Sequence, residues 1–295
     1  MNIKKHPSGN EYIYAGEVWV RNFTKKNIAP LQLDCLFSED DMSLVLKNEQ
    51  LNLNYPRVSD ENLNFSKICI VSDGYLFEER QKILAKLPKD VCILAVNRAL
   101  AKWGLYDAKT PLEYRRTINA FVVNNPYKDA ITYLPSKNAK YYPTCVASTR
   151  TNFDFLKRYA GDVYCYRPAI EERFGINTPE SYYIDDYRNP ICAAIGFAFQ
   201  MNVKKLMLFC CDDSFVEPRD NAVRLQNGLY CYKPLLRSHD IIDANLYWLT
   251  HIEENEIVVS NYSSGLDYSN AAYIKDEREV ISFFTDSSEG TTYEQ

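Results

Sequence analysis

The chain has 295 residues, 46% of them apolar and 25% charged. That is the balance of a globular protein with a sizeable core, and it excludes a disordered chain. The formal net charge is −5 and the basic residues are scattered, so a broad electropositive surface for generic nucleic-acid binding is not expected. No run approaches the roughly 20 apolar residues that span a bilayer, and the first twenty residues hold no continuous apolar stretch. Neither a membrane anchor nor a cleaved leader is expected, and the expected location is the cytoplasm. Nine cysteines, most inside apolar runs and none in a C-x-x-C pair, read as reduced core thiols.

In chain order, Glu11 to Val20 is aromatic and β-branched around Gly16, which suits a short hairpin. Lys47 to Asn64 is polar, Asn-rich and broken by Pro56, and reads as a connection. From Lys67 the pattern changes. Candidate strands are Lys67 to Val71, Val91 to Val96, Ile118 to Val123, Asp162 to Cys165, Lys205 to Cys211 and Glu256 to Ser260. Several are apolar almost throughout, as strands covered on both faces are. Between them Leu76 to Leu87, Asn97 to Trp103, Asn152 to Tyr159, Ile191 to Met201 and His239 to Glu253 carry helical periodicity. Repeated strand-then-helix order predicts an α/β fold, a doubly wound, mostly parallel Rossmann-like sheet with a small N-terminal β appendage. The expected division is an appendage and connection over residues 1–62, the Rossmann-like domain over 63–286 and a tail over 287–295.

In such sheets ligands bind where strands end and helices begin. The first strand ends in Ser72-Asp73-Gly74, small residues that let backbone N–H groups approach a phosphate. The same residues also make an ordinary turn with an Asp cap. The next two strands lead to Asn97 and Asn125, whose carboxamides offer both donor and acceptor to a base or sugar edge, or simply shape turns. Asp212 and Asp213 could hold a divalent cation, cap the next segment or orient a substrate hydroxyl. Of three histidines, His239 sits at the mouth of a helix, where an imidazole can accept a proton; a surface histidine is the alternative. Walker A, G-x-S-x-G and G-x-G-x-x-G motifs are absent.

Taken in order, these elements resemble the bacterial lipooligosaccharide sialyltransferases and the superfamily of motility accessory factors and hydroxymethylpterin pyrophosphokinase. The resemblance runs over roughly Lys67 to Ile274. A strand leads to the loop Ser72-Asp73-Gly74, a second to Asn97, and a third to Asn125-Pro126. A small-residue helix feeds a strand ending in Asp212, followed by a loop with Tyr230 and Tyr232 and a helix led by His239. A last strand ends in Ser260-Asn261-Tyr262-Ser263-Ser264-Gly265. The Gly-x-Gly-Pro-Ser loop of the superfamily is reduced here to Ser72-Asp73-Gly74-Tyr75.

The resemblance implies an inverting glycosyltransferase whose donor is a CMP- or UDP-linked sugar and whose acceptor is a hydroxyl compound. It implies His239 as general base and Tyr230 and Tyr232 steadying the departing phosphate. The nucleotide would be held by Ser72, Asp73, Gly74, Asn97, Asn125, Asp212, Asn261, Ser263 and Ser264. No cofactor is implied, and the spaced D-x-D pattern of metal-dependent glycosyltransferases is absent. Two other readings stay open. A Mg²⁺-dependent pyrophosphokinase acting on a small alcohol would use Asp212 and Asp213 as metal ligands. A non-catalytic Rossmann-like binding or structural module fits the altered glycine loop and the 23 tyrosines. A homo-oligomer stays open in every reading.

Overall fold

A computed structural model of the protein describes residues 3–5, 11–15, 18–21, 39–60, 63–103, 116–135, 141–168, 183–184, 186, 189–212, 214–218, 222–224, 229–232, 242–243, 246, 257–263, 268 and 270–285. Near the N-terminus, β1 (Ile3–Lys5), β2 (Glu11–Ala15) and β3 (Val18–Arg21) form an antiparallel three-stranded sheet. Ala15 pairs with Val18, as the expected hairpin requires. Helix α1 (Glu39–Asn52) follows, so the first part of the stretch expected to be a connection is helical.

The main sheet is built from β4 (Lys67–Val71), β5 (Cys92–Val96), β6 (Ala120–Val123), β7 (Thr144–Ser148), β8 (Val163–Pro168), β9 (Tyr183–Ile184), β10 (Lys205–Phe209), β14 (Val258–Tyr262) and β15 (Ala272–Tyr273). Between β10 and β14 a second small antiparallel sheet joins β11 (Ser214–Phe215), β12 (Ala222–Arg224) and β13 (Tyr230–Tyr232). The nine main strands run in the order β15-β14-β10-β4-β5-β6-β7-β8-β9, and every pairing between them is parallel. This is the doubly wound α/β architecture expected from the strand-then-helix order.

Burial on both faces explains why β4, β5, β6 and β10 are apolar from their second residue to their last. Side chains alternate across a strand with period two. Cys69, Val71, Ile93, Phe121 and Phe209 therefore enter one core layer, and Ile68, Ile70, Leu94, Val122 and Leu208 enter the other. The first layer is covered by α2 (Phe77–Arg80) and the 3-10 turn Gln81–Lys86, by α3 (Phe153–Arg158) and by α5 (Glu277–Thr285). The second is covered by α4 (Pro190–Gln200) and by the helical residues Ile242 and Leu246. In α4 the seven residues Ile191, Cys192, Ala193, Ala194, Ile195, Phe197 and Ala198 are buried, each large side chain contributing about 1.5–3 kcal/mol of apolar burial. Asn189 caps this helix by accepting from Ile191 N at 2.8 Å and Cys192 N at 3.3 Å, with Pro190 in the first turn where its missing N–H costs nothing.

From β4 the chain winds outward through β5 to β9, then returns through α4 to β10 on the other side of β4 and continues to β14 and β15. The direction of winding therefore reverses between β4 and β10. A crevice opens at such a reversal, because the connections from the two strands leave toward opposite faces.

Candidate functional site at the carboxyl ends of the strands

The ends of β4 and β10 are stitched together by backbone. Ser72 N–H donates to Phe209 O at 3.1 Å and Gly74 N–H donates to Cys210 O at 3.1 Å. A Cβ on Gly74 would lie 2.4 Å from Cys210 O, 2.4 Å from Asp212 Oδ1 and 2.8 Å from Asp212 O. Only glycine fits there, which gives the reduced loop Ser72-Asp73-Gly74 a physical reason. Asp212 is 3% exposed and its carboxylate lies over Gly74.

The two strands flanking β4 both end in strain. Beyond β5, Asn97 has φ 45°, and beyond β10, Cys210 has φ 52°. A left-handed residue costs roughly 1–2 kcal/mol at Cys210 and less at Asn97, since Asn tolerates that conformation. These residues also cut two elements short of their expected lengths. Lys205 to Cys211 stops as a strand at Phe209, and Asn97 to Trp103 is a 3-10 turn over Asn97–Ala99 rather than a regular helix. Asn202, the third such residue, follows the last turn of α4, where a left-handed residue is an ordinary helix end.

Asp73 has a 15% exposed side chain, and its Oδ2 meets Arg98 Nε at 3.3 Å and Lys102 Nζ at 3.2 Å. A carboxylate that would repel a phosphate is thus matched by two cations. Asn97 Oδ1 is buried without a hydrogen-bond partner. At the end of β6, Asn125 is fully engaged: its Nδ2 donates to Asp129 Oδ1 at 3.1 Å and to the Tyr133 hydroxyl at 2.7 Å, and its Oδ1 accepts from Tyr127 N. These bonds are local, the pattern of an Asx turn. Its neighbour Asn124 has a buried Nδ2 with no partner. Burial also pushes the Tyr133 phenol above its ordinary range.

On the other side of the crevice Ser263, 1% exposed, accepts from Cys211 N through its hydroxyl at 3.0 Å. Tyr268 donates its hydroxyl to Cys211 O at 2.6 Å. Asn261, in β14 beside Leu208, is 1% exposed, and neither carboxamide atom has a hydrogen-bond partner. A buried donor or acceptor left unmade costs about 1–3 kcal/mol, so this residue is held against a stability cost. Tyr230 and Tyr232 lie in β13 two residues apart, hence on one face of that strand. Tyr230 is half-buried, and the side chain of Tyr232 is outside the described residues. So are His239, Asp213 and Ser264.

Ser72, Asp73, Gly74, Asn97, Asn125, Asp212, Asn261 and Ser263 are therefore gathered along one edge of the sheet. Sequence reasoning passed over Arg98 and Lys102, and it missed the polar loop after β7. There Ser148, Thr149, Thr151 and Asn152 are all buried. Asn52 of α1 donates to Thr149 O at 2.9 Å and Thr151 O at 2.6 Å, while Asn48 donates to Pro126 O at 3.0 Å and Arg150 O at 3.3 Å. Glu49 adds a mostly buried ion pair with Arg167 at 3.2 Å. Asn48 and Asn52 are four apart and so share a helix face, the one signal that could have shown this dock.

Among the described residues no cluster of three or more His, Cys, Asp and Glu could hold a metal, and no helix is long and apolar enough to cross a membrane. No family model and no curated protein matches the chain. Among solved structures it is similar to the MAf glycosyltransferase from Magnetospirillum magneticum AMB-1. The TM-score is 0.62 at 15% sequence identity, over 84% of this chain and 39% of that one. The fold is shared. The chain spans about two-fifths of the length of that relative.

Proposed function

We propose that the protein is a glycosyltransferase that binds a nucleotide-activated sugar across the carboxyl ends of its strands and transfers the sugar to a hydroxyl acceptor. The observation that carries this reading is the strain at the winding reversal. β4 leads within three residues to Gly74, where an added Cβ would clash with Cys210 and Asp212, and just beyond the two neighbouring strands Asn97 and Cys210 are left-handed. Backbone strain of this kind collects at ligand sites, where it is held in place by the surrounding fold. The unpaired carboxamide atoms of Asn97 and Asn124, an acceptor and a donor on adjacent strand ends, suit the edge of a pyrimidine base once the loops above them part. The fold shared with a MAf glycosyltransferase supports the same class of reaction.

In this reading His239 takes the proton of the acceptor hydroxyl as it attacks the anomeric carbon. The bond to the phosphate oxygen breaks, and Tyr230 and Tyr232 donate hydrogen bonds to the departing phosphate. Asp212, turned back over Gly74, supports a reaction without a metal. The test is release of nucleotide from CMP- and UDP-linked sugars in the presence of EDTA. Turnover is expected to survive EDTA. His239→Ala is expected to lower it by about 10²- to 10⁴-fold with donor affinity unchanged, the usual contribution of a general base. His251→Ala, about three turns further along the same expected helix, is the control and is expected to change little. Loss on chelation with recovery on adding Mg²⁺ would move the reading to phosphoryl transfer, with Asp212 and Asp213 as ligands.

A further inference from the structure

We propose that Arg98 and Lys102 form the anion site of the cleft and take the phosphate group of the ligand, in place of the glycine-rich cradle that the short loop after β4 does not supply. The inference rests on the reading of the cleft as a nucleotide site, and it names the residues that bind the charge.

The arrangement is layered. Asp73 lies behind, with 15% of its side chain exposed, and the two cations stand in front with 62% for Arg98 and 40% for Lys102. A buried carboxylate needs one cation for neutrality; here two converge on the same oxygen, so these three side chains sum to +1. Arg98 meets Asp73 through Nε at 3.3 Å, and with 62% of its side chain exposed the guanidinium also faces solvent. Two parallel N–H groups at fixed spacing are the geometry that matches phosphate oxygens.

The backbone sets the pair up. Lys102 N–H donates to Arg98 O at 3.1 Å, so the two residues stand one helical turn apart on the same side of the turn after β5. That turn starts from the left-handed Asn97, which sends Arg98 away from the line of the strand. The cluster lies next to the winding reversal, since Asp73 immediately precedes the Gly74 that is bonded to Cys210. On its other side stands Tyr133, held by Asn125, within reach of the charges of Asp129, Arg98 and Asp73.

The test is calorimetric titration of the full chain and of Arg98→Gln, Lys102→Gln and the double variant with inorganic pyrophosphate, with CDP or UDP, and with the free nucleosides. Both residues are on the surface, and an unchanged unfolding midpoint without ligand shows that the variants fold. Pyrophosphate and the nucleoside diphosphate are expected to bind the parent chain. Arg98→Gln is expected to weaken them about 10- to 100-fold, the range of one charge-assisted contact, and to leave nucleoside binding unchanged. Raising the salt is expected to weaken the parent and not the double variant. Diphosphate binding that is equal in the double variant and the parent, or absent from the parent at millimolar concentration, overturns the proposal. The two readings fail separately. Sugar-nucleotide turnover with an unaltered KM in Arg98→Gln sinks the anion site and leaves the transferase. Arg98-dependent diphosphate binding without any turnover does the reverse.

Discussion

Replacing Gly74 by alanine puts the geometry of the winding reversal to the test. The added Cβ would sit 2.4 Å from Cys210 O, 2.4 Å from Asp212 Oδ1 and 2.8 Å from Asp212 O, and two of those three atoms are backbone that cannot swing aside. Either the loop lifts off β10 or β10 yields. Lifting loses the bond from Gly74 N–H to Cys210 O, a net loss of about 0.5–1.5 kcal/mol. Forcing an extra methyl into packed surroundings adds about 1–3 kcal/mol. The sum, about 1.5–4.5 kcal/mol, corresponds to a fall of about 2–7 °C in the thermal midpoint for a chain of this length, at about 2.1 cal/mol/K per residue. Urea denaturation is expected to show the same loss as a lower midpoint with an unchanged slope, because the folded core is the same. A Gly74→Ala protein that melts within 1 °C of the parent would refute the claim that the two loops pack in contact.

Asn261→Leu is expected to raise the midpoint of unfolding by removing a buried carboxamide with no partner, worth about 1–3 kcal/mol, while weakening ligand binding; a lower midpoint would show that the amide is satisfied in solution. Asn125→Ala is expected to destabilise the chain by about 1–2 kcal/mol through loss of its bonds to Asp129, Tyr133 and Tyr127, and a neutral result would contradict the local role given to it. Seven cysteines are buried as free thiols, so native labelling with iodoacetamide at pH 8 is expected to modify at most Cys35 and Cys231, whose side chains are outside the described residues; labelling of Cys92 or Cys165 before unfolding contradicts the core. Burial pushes Cys92 and Cys165 up to about 12 from an ordinary value of 9.0. Above pH 9 the unfolded chain therefore releases protons that the native state keeps, and stability is expected to fall as the pH rises from about 9 to 12. A flat alkaline profile would count against it.

Burial on both faces makes β4 and β5 legible from sequence, because four or five consecutive apolar residues have few other uses. β7 is not legible in the same way. Thr144–Ser148 holds only Cys145, Val146 and Ala147 between polar ends, and it is buried because β6 and β8 flank it. The helix α1 has a different cause. Leu46 and Leu51 are exposed, and the helix docks through Val45, Asn48 and Asn52 instead of an apolar stripe. Its carboxamides bond carbonyls 78 to 102 residues away, partners that no local pattern can reveal. At the site, position was readable and conformation was not. Strand ends could be found from the apolar runs, yet nothing about Cys210 as a residue type signals a left-handed backbone. Asn97 could have been suspected, since Asn tolerates that conformation. The exchange of Asn124 for Asn125 as the carboxamide with a vacant atom turns on the Asx turn and the Tyr133 hydroxyl, both set by the loop. The reading of His239 rests on sequence order, and the residue lies outside the described set.

Nucleotide binding at the ends of β4, β5 and β6 is measured most directly by a thermal-shift titration. The parent chain and Asn124→Ala would be heated with millimolar cytidine and uridine nucleotides and their sugar conjugates, with guanosine and adenosine nucleotides as controls. A ligand at 100 times its Kd stabilises the native state by about 2.7 kcal/mol, a shift of several degrees. A cytidine or uridine nucleotide is expected to give this shift in the parent and a clearly smaller one in Asn124→Ala. No shift with any nucleotide, or the same shift in both proteins, would contradict this expectation.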